Sequence, residues 1–279
     1  MVKKLMFGNF KGGVGKSSNS TLFSYHLAQR GYKTLLIDLD PQKNSTDSML
    51  RTYAVQNDEE LEIEKSMMVA IQEGDLSQSV VEIMENLYII PSDYDFTDYP
   101  DFLEFVYPAT TENYKESRVA HFTELLRPIE DDFDFIIFDV PPTLNDYAKT
   151  GLYDADLVII VLQTQQKSLD GAMAFWNYLQ KFYNQFTNTH FDILGVLGVL
   201  QKNDAAIDNS IINDAIEIFG EEMLFSKIVP QMDRLKRYDR QGITEKGYTK
   251  WNDYHDTVVH NFYNSLTDEL LERIKEREE

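Results

Sequence analysis

Seven short apolar runs rich in Ile, Leu and Val recur along the chain, each bounded by polar or turn residues: KKLMFGNF from residue 3, KTLLIDLD from 33, NLYIIPS from 86, FDFIIFDVPP from 133, DLVIIVLQT from 156, FDILGVLGVL from 191 and LFSKIVP from 224. Strands that are apolar almost without interruption are buried on both faces, whereas a sheet with one wet face alternates. Separated by helix-length segments, the runs predict an α/β fold, a doubly wound, mostly parallel sheet with helices on both faces. The first connection, SSNSTLFSYHLAQRGYK, places Leu22, Phe23, His26 and Leu27 on the inner face of a helix that Gly31 closes. DEELEIE at 58–64 reads as a solvated helix face. DYDFTDYPDFLEFVY at 93–107 alternates acids with aromatics, either as a partner-facing lid or loop or as aromatics packed inward with carboxylates outward. No Pro/Gly/Ser-rich linker and no internal repeat divides the chain, so residues 1–279 are expected to form one domain.

Composition narrows the chemistry. With 43% apolar residues the chain has material for a core and is not a disordered polypeptide. The lack of cysteine removes disulfides, thiolate metal sites, iron–sulfur ligation and thiol nucleophiles together, and suits a reducing cytoplasm. No apolar run approaches the roughly 20 residues a membrane-spanning helix needs, so a soluble, cytoplasmic protein is expected. The net charge of −21 repels nucleic acid on average, so DNA binding would require a local basic patch.

Directly after the first apolar run stands GNFKGGVGKSS, residues 8–18. A phosphate loop is written G-x-x-x-x-G-K-[ST]; Gly15, Lys16 and Ser17 fit, but Phe10 occupies the place of the first glycine and a second lysine, Lys11, follows it. Strand, glycine-rich turn, helix and strand form the context such a loop requires. The backbone amides of Gly13, Val14, Gly15, Lys16, Ser17 and Ser18 are placed to hold phosphate oxygens, Lys16 to reach the β- and γ-phosphates, and Ser17 to ligate Mg²⁺. Two later strands end in acid, DLDPQ after the second run and FDVPP after the fourth, at the sheet edge where ligands bind in such folds. Asp139 is placed like a carboxylate that orders the water shell of the metal, or else begins a turn before Pro141-Pro142. Asp38 and Asp40, two residues apart, point the same way from an extended chain, so that one serves the magnesium shell and the other the attacking water.

KGGVGKSS, DLDPQ, FDFIIFDVPP and LQTQQKSLDGA together resemble the ParA/MinD family of deviant Walker A ATPases, over most of the first 175 residues. The resemblance implies ATP/ADP and Mg²⁺ as cofactors and an ATP-dependent homodimer in which Lys11, beside Gly12 and Gly13, reaches the phosphates of the partner subunit. It also implies that Asp40 positions the hydrolytic water, that Asp38 lies nearer Mg²⁺, and that Asn203 and Pro230 flank adenine. Phe10 replaces the polar residue expected before the lysine.

Within that family, iron–sulfur branches need cysteines, a MinD-type membrane anchor needs a basic amphipathic tail where this chain has LTDELLERIKEREE, and a tyrosine autokinase needs a C-terminal tyrosine cluster. A ParA-type partition ATPase remains. With the loop beginning at residue 11, no N-terminal helix-turn-helix extension is expected. Such an enzyme binds nonspecific DNA as an ATP dimer, is nucleoid-associated, and is released when a ParB-like centromere-binding protein stimulates hydrolysis. From Lys227 to Lys250 seven Lys/Arg face three Asp/Glu, and Arg234, Lys236, Arg237 and Arg240 are the candidate DNA contacts; the other reading is a strip paired with neighbouring carboxylates. Alternatives are a protein-cargo positioning or regulatory switch without DNA, and a membrane-recruited MinD-like ATPase.

Overall fold

A computed structural model describes residues 1–201, 206–244 and 254–278. It begins with β1 (Lys3–Gly8), α1 (Lys16–Gln29), β2 (Thr34–Asp38), α2 (Asn44–Asn57) and α3 (Met67–Glu73). A hairpin of β3 (Val81–Met84) and β4 (Leu87–Ile90) leads to α4 (Tyr99–Val106), α5 (Tyr114–Glu130), β5 (Phe135–Asp139) and α6 (Asp146–Asp154). The chain continues through β6 (Leu157–Gln163), α7 (Gln166–Gln185), β7 (Asp192–Gln201), α8 (Ala206–Phe219), β8 (Val229–Pro230), α9 (Asp233–Gln241) and α10 (Tyr254–Glu278).

The strands form one sheet in the order β3-β4-β2-β5-β1-β6-β7-β8, parallel throughout except between β3 and β4. Each of the seven apolar runs contributes a strand, and the doubly wound α/β expectation holds. Along β1, Met6 faces one apolar layer with Phe138, Phe122 and Leu179, whereas Leu5 and Phe7 face the other with Phe23, Tyr263 and Leu266. That period of two, with core on both sides, is why the strands lack a polar face.

Four local expectations change. β3, too short and mixed to register as an apolar run, pairs antiparallel at the sheet edge. LFSKIVP supplies only the two residues of β8. The acids of DEELEIE are exposed, but the segment lies in an irregular connection after α2, where Asp58 takes a left-handed conformation and stops the helix. In 93–107 the aromatics Phe96 and Tyr99 are fully buried while Tyr94 and Phe105 remain exposed, so the aromatics divide between core and surface.

Helix α1 is enclosed on nearly every side rather than along one face, because α2 and α10 flank it. Gly31 closes it at φ +86°, with the Tyr32 amide donating to Leu27 O. Inside, burial first and His260 second hold the His26 imidazole down to about 3, and the ring stacks on Tyr263. Among the described residues no helix is long and apolar enough to cross a membrane.

Candidate nucleotide site

Parallel pairing brings the carboxyl ends of β1, β2, β5 and β6 to one edge, with Asp38 opposite Asp139 and Phe7 also in register with Asp139. Out of β1 the chain turns through Gly13 at φ +71° and Gly15 at φ +86°, a left-handed conformation that glycine adopts without strain. A Cβ added at Gly13 would meet nothing within 4 Å, so the backbone there lies open to a ligand. α1 begins at Lys16, aiming its N-terminus into the same space.

Asn9, unremarked in the sequence, fastens the loop. Its Nδ2 donates to Val161 O at 2.8 Å, and its Oδ1 accepts from the Lys11 amide at 2.8 Å. Asn19 donates through Nδ2 to Gly15 O at 2.7 Å, fixing the far end. Phe10 turns its ring inward, edge-on to Phe175 with centroids 5.1 Å apart and against Tyr178, so the departure from a polar residue is absorbed within the subunit.

The two lysines have different surroundings. Lys16 is buried; burial lowers its pKa while Asp139 and Asp40 oppose the shift. Lys11 instead donates through Nζ to Gln163 Oε1 and Gln165 Oε1, both at 2.8 Å, at the end of β6. Its contacts there are neutral amide oxygens.

Around Lys16 the carboxylates divide. Asp139 accepts from Ser45 Oγ at 2.6 Å through Oδ2, while its buried Oδ1 has no hydrogen-bond partner among the described residues. Burial raises its pKa against the opposing effects of Ser45, Ser17 and Lys16. Asp38, expected beside the metal, is fully buried, and its Oδ2 accepts from both the amide and hydroxyl of Thr46 at 2.8 Å. Its Oδ1 accepts from the Asp40 amide at 3.1 Å, and burial next to Asp139 raises its pKa. Ser45 and Thr46 begin α2, so both buried acids hold that helix in place; this depends on strand register and has no motif to announce it. Asp40 reaches the cavity wall, with its Oδ1 accepting from the Gln42 amide at 3.0 Å.

A cavity of about 1110 Å³ joins this edge to the ends of β7 and β8. Gly12, Gly13, Gly15, Lys16, Ser17, Ser18 and Asp40 line it, while Val14 lies buried beneath. Pro230 is not part of the wall, which is made there by Val229, Gln231 and Met232. Asn203 lies outside the described residues.

The basic strip is largely dispersed. Arg234 grips Asp256 through Nε and Nη2, both at 2.5 Å, with its side chain 11% exposed, so it is spent on an internal ion pair rather than offered to DNA. Lys236 lines the cavity, with its ammonium 3.4 Å from Asp233 Oδ1 on the same helix. Arg237 and Arg240 are exposed on α9.

The chain matches the AAA domain family over residues 2–193. It is 27% identical over 251 residues to the chromosome-partitioning ATPase Soj of Treponema pallidum strain Nichols, covering 89% of this chain and 90% of that one. Apo McdA of Cyanothece superposes with a TM-score of 0.78 at 18% identity, covering 98% of this chain and 100% of the other. A plasmid partition protein of Borrelia burgdorferi B31 bound to AMPPNP gives 0.68 at 18% identity, covering 95% and 100%. The likenesses to solved structures establish the fold, the match over residues 2–193 establishes the family, and the chain belongs to the ParA-type ATPases of the AAA domain family.

Proposed function

We propose that the chain is an ATP-operated switch that dimerises on ATP, binds nonspecific DNA in that state to move a plasmid or chromosome, and is released when a ParB-like protein stimulates hydrolysis. The observation that carries this reading is Lys11, parked on Gln163 and Gln165 beside the cavity rather than on a carboxylate. An ammonium held by neutral amides can exchange them for a partner's phosphate without breaking an ion pair. ATP then becomes part of the interface, and its γ-phosphate governs association.

In each subunit, the open loop amides and Lys16 bind the β- and γ-phosphates. The residues fit magnesium: Ser17 offers a hydroxyl, and the orphaned buried Oδ1 of Asp139 lacks a donor that a metal-bound water would supply. When bound, the ion neutralises phosphate oxygens on which charge develops. Asp38 keeps α2 and the Asp40 main chain in register. Asp40, at the cavity wall, accepts a hydrogen bond from water and orients it for attack on the γ-phosphorus.

DNA contact falls to Arg237 and Arg240 of α9, doubled by the dimer. Two observations favour a second reading, a protein-positioning or regulatory switch without DNA: the net charge of −21 and the loss of Arg234 to Asp256. Retention on random-sequence DNA with ATP and with ADP, beside liposome flotation, separates the readings. ATP-dependent retention at low salt supports partition; none supports the protein switch, and flotation would favour membrane recruitment.

A further inference from the structure

The site has an end for phosphates and an end for a base, and α9 adds Lys236 and Asp239 to a polar wall that it shares with Asp47, Ser48 and Arg51 of α2. Phosphates are fixed by the loop and Lys16, while Leu200, Ile207, Ile211, Val229 and Met232 make the opposite end apolar. A nucleotide lying between them passes its ribose along the wall next to Ser18. There Ser18 Oγ lies 3.4 Å from Asp239 Oδ1, longer than a good hydroxyl–carboxylate hydrogen bond. Lys236, three residues earlier on α9, lines the same cavity.

The chemistry at this wall is selective. A carboxylate accepts hydrogen bonds and donates none, so beside an anionic chain it is tolerated only where it meets donors. The sugar offers two, its vicinal hydroxyls. Asp47 on the α2 side is engaged by Arg51 at 3.1 Å, and Asp208 sits at the apolar end beside Ile207 and Ile211. Asp239 is also fixed from behind, since Arg51 donates through Nη1 to its backbone oxygen at 2.5 Å. Its side chain therefore stands on an anchored backbone.

We infer that Asp239 reads the ribose of the bound nucleotide, accepting a hydrogen bond from a 2′- or 3′-hydroxyl, and makes the site selective for ribonucleotides over deoxyribonucleotides. This rests on the nucleotide reading of the cavity and assigns α9 a role in that site as well as in DNA contact.

The test is equilibrium binding of ATP, 2′-deoxyATP and 3′-deoxyATP to the full chain with Mg²⁺. Wild type is expected to favour ATP over at least one deoxy form by about 10-fold, as for a hydrogen bond to a charged group. Asp239→Ala should bind ATP at the deoxy level while its affinity for that deoxy form stays within about 2-fold, which also shows that the variant is folded. Asp239→Asn, which keeps the shape, should lower the preference by a smaller factor. Equal binding of all three nucleotides by wild type overturns the ribose assignment and leaves the nucleotide site standing. A preference that survives in both Asp239 variants and vanishes in Asp208→Ala overturns it in favour of Asp208. Failure of wild type to bind any of the three overturns the nucleotide reading and this assignment with it.

Discussion

Lys11 and Lys16, five positions apart, sit in different electrostatic surroundings. Removing Lys16 leaves the phosphate pocket facing Asp40 and Asp139 with no cation between, so Lys16→Ala should lose ATP binding below detection by equilibrium titration. Asp40→Ala should bind ATP like wild type but turn it over about 100-fold or more slowly; wild-type turnover would move the water-orienting role elsewhere. A proton-linked prediction follows from the buried acids. Burial, with Asp38 and Asp139 adjacent, raises both pKa values, so the folded state holds protons more tightly than the unfolded chain. The pair's contribution to stability is therefore present near about pH 4 and lost as pH rises. A cation at Asp139 requires the ionised form, so the gain in Tm from Mg²⁺ and ADP should grow between about pH 5 and pH 7.5. Asp139→Asn should flatten that growth, and an unchanged profile in the variant would exclude Asp139 from the cation site. GKSS and the strand-end acids were legible because each is local in sequence. Asn9 and Ser45 were not, since their partners Val161 and Asp139 are supplied by strand pairing, and Thr46 meets Asp38 only through the turn that joins β2 to α2.

At the level of elements, α9 divides its side chains among three sides of one short helix. Lys236 and Asp239 face the cavity, Arg234 and Tyr238 close on Asp256, and Arg237 and Arg240 face solvent. Its C-terminal end abuts α2 through Gly242, at φ +84°, where an added Cβ would lie 2.4 Å from Arg51 O. Gly242→Ala should therefore destabilise the fold by about 1–3 kcal/mol in denaturant titration, and a neutral result would mean the α2–α9 seam yields easily. For DNA, an Arg237→Ala/Arg240→Ala double variant removes up to two contacts per subunit and should flatten the log–log salt slope by as much as roughly 3.6 for a dimer. Equal slopes would remove α9 from the DNA surface. The linear sequence marked this stretch as basic but not its division, because which residue of an i, i+3, i+4 set faces inward is decided by the helices packed against it. Apolar strands were readable for the converse reason: burial on both faces writes itself into every position. DEELEIE was misread as helix because high charge marks solvent exposure without specifying backbone conformation.

Across the whole molecule, the sheet gathers phosphate loop, acids and cavity at one edge and leaves Lys11 beside that edge on two neutral amides. A chain with a net charge of −21 repels its own copies, and an anionic nucleotide adds to that charge, so the proposed association depends on a local contact between a lysine and the partner's phosphates. The proposed dimer then depends on Lys11 in particular. The most direct measurement is the mass in solution by light scattering, for wild type and Lys11→Ala, each with Mg²⁺ and ATP or ADP. The account predicts a dimer for wild type with ATP and a monomer with ADP, and a Lys11→Ala variant that still binds ATP yet stays monomeric. A Lys11→Ala variant that dimerises with ATP as wild type does would contradict it.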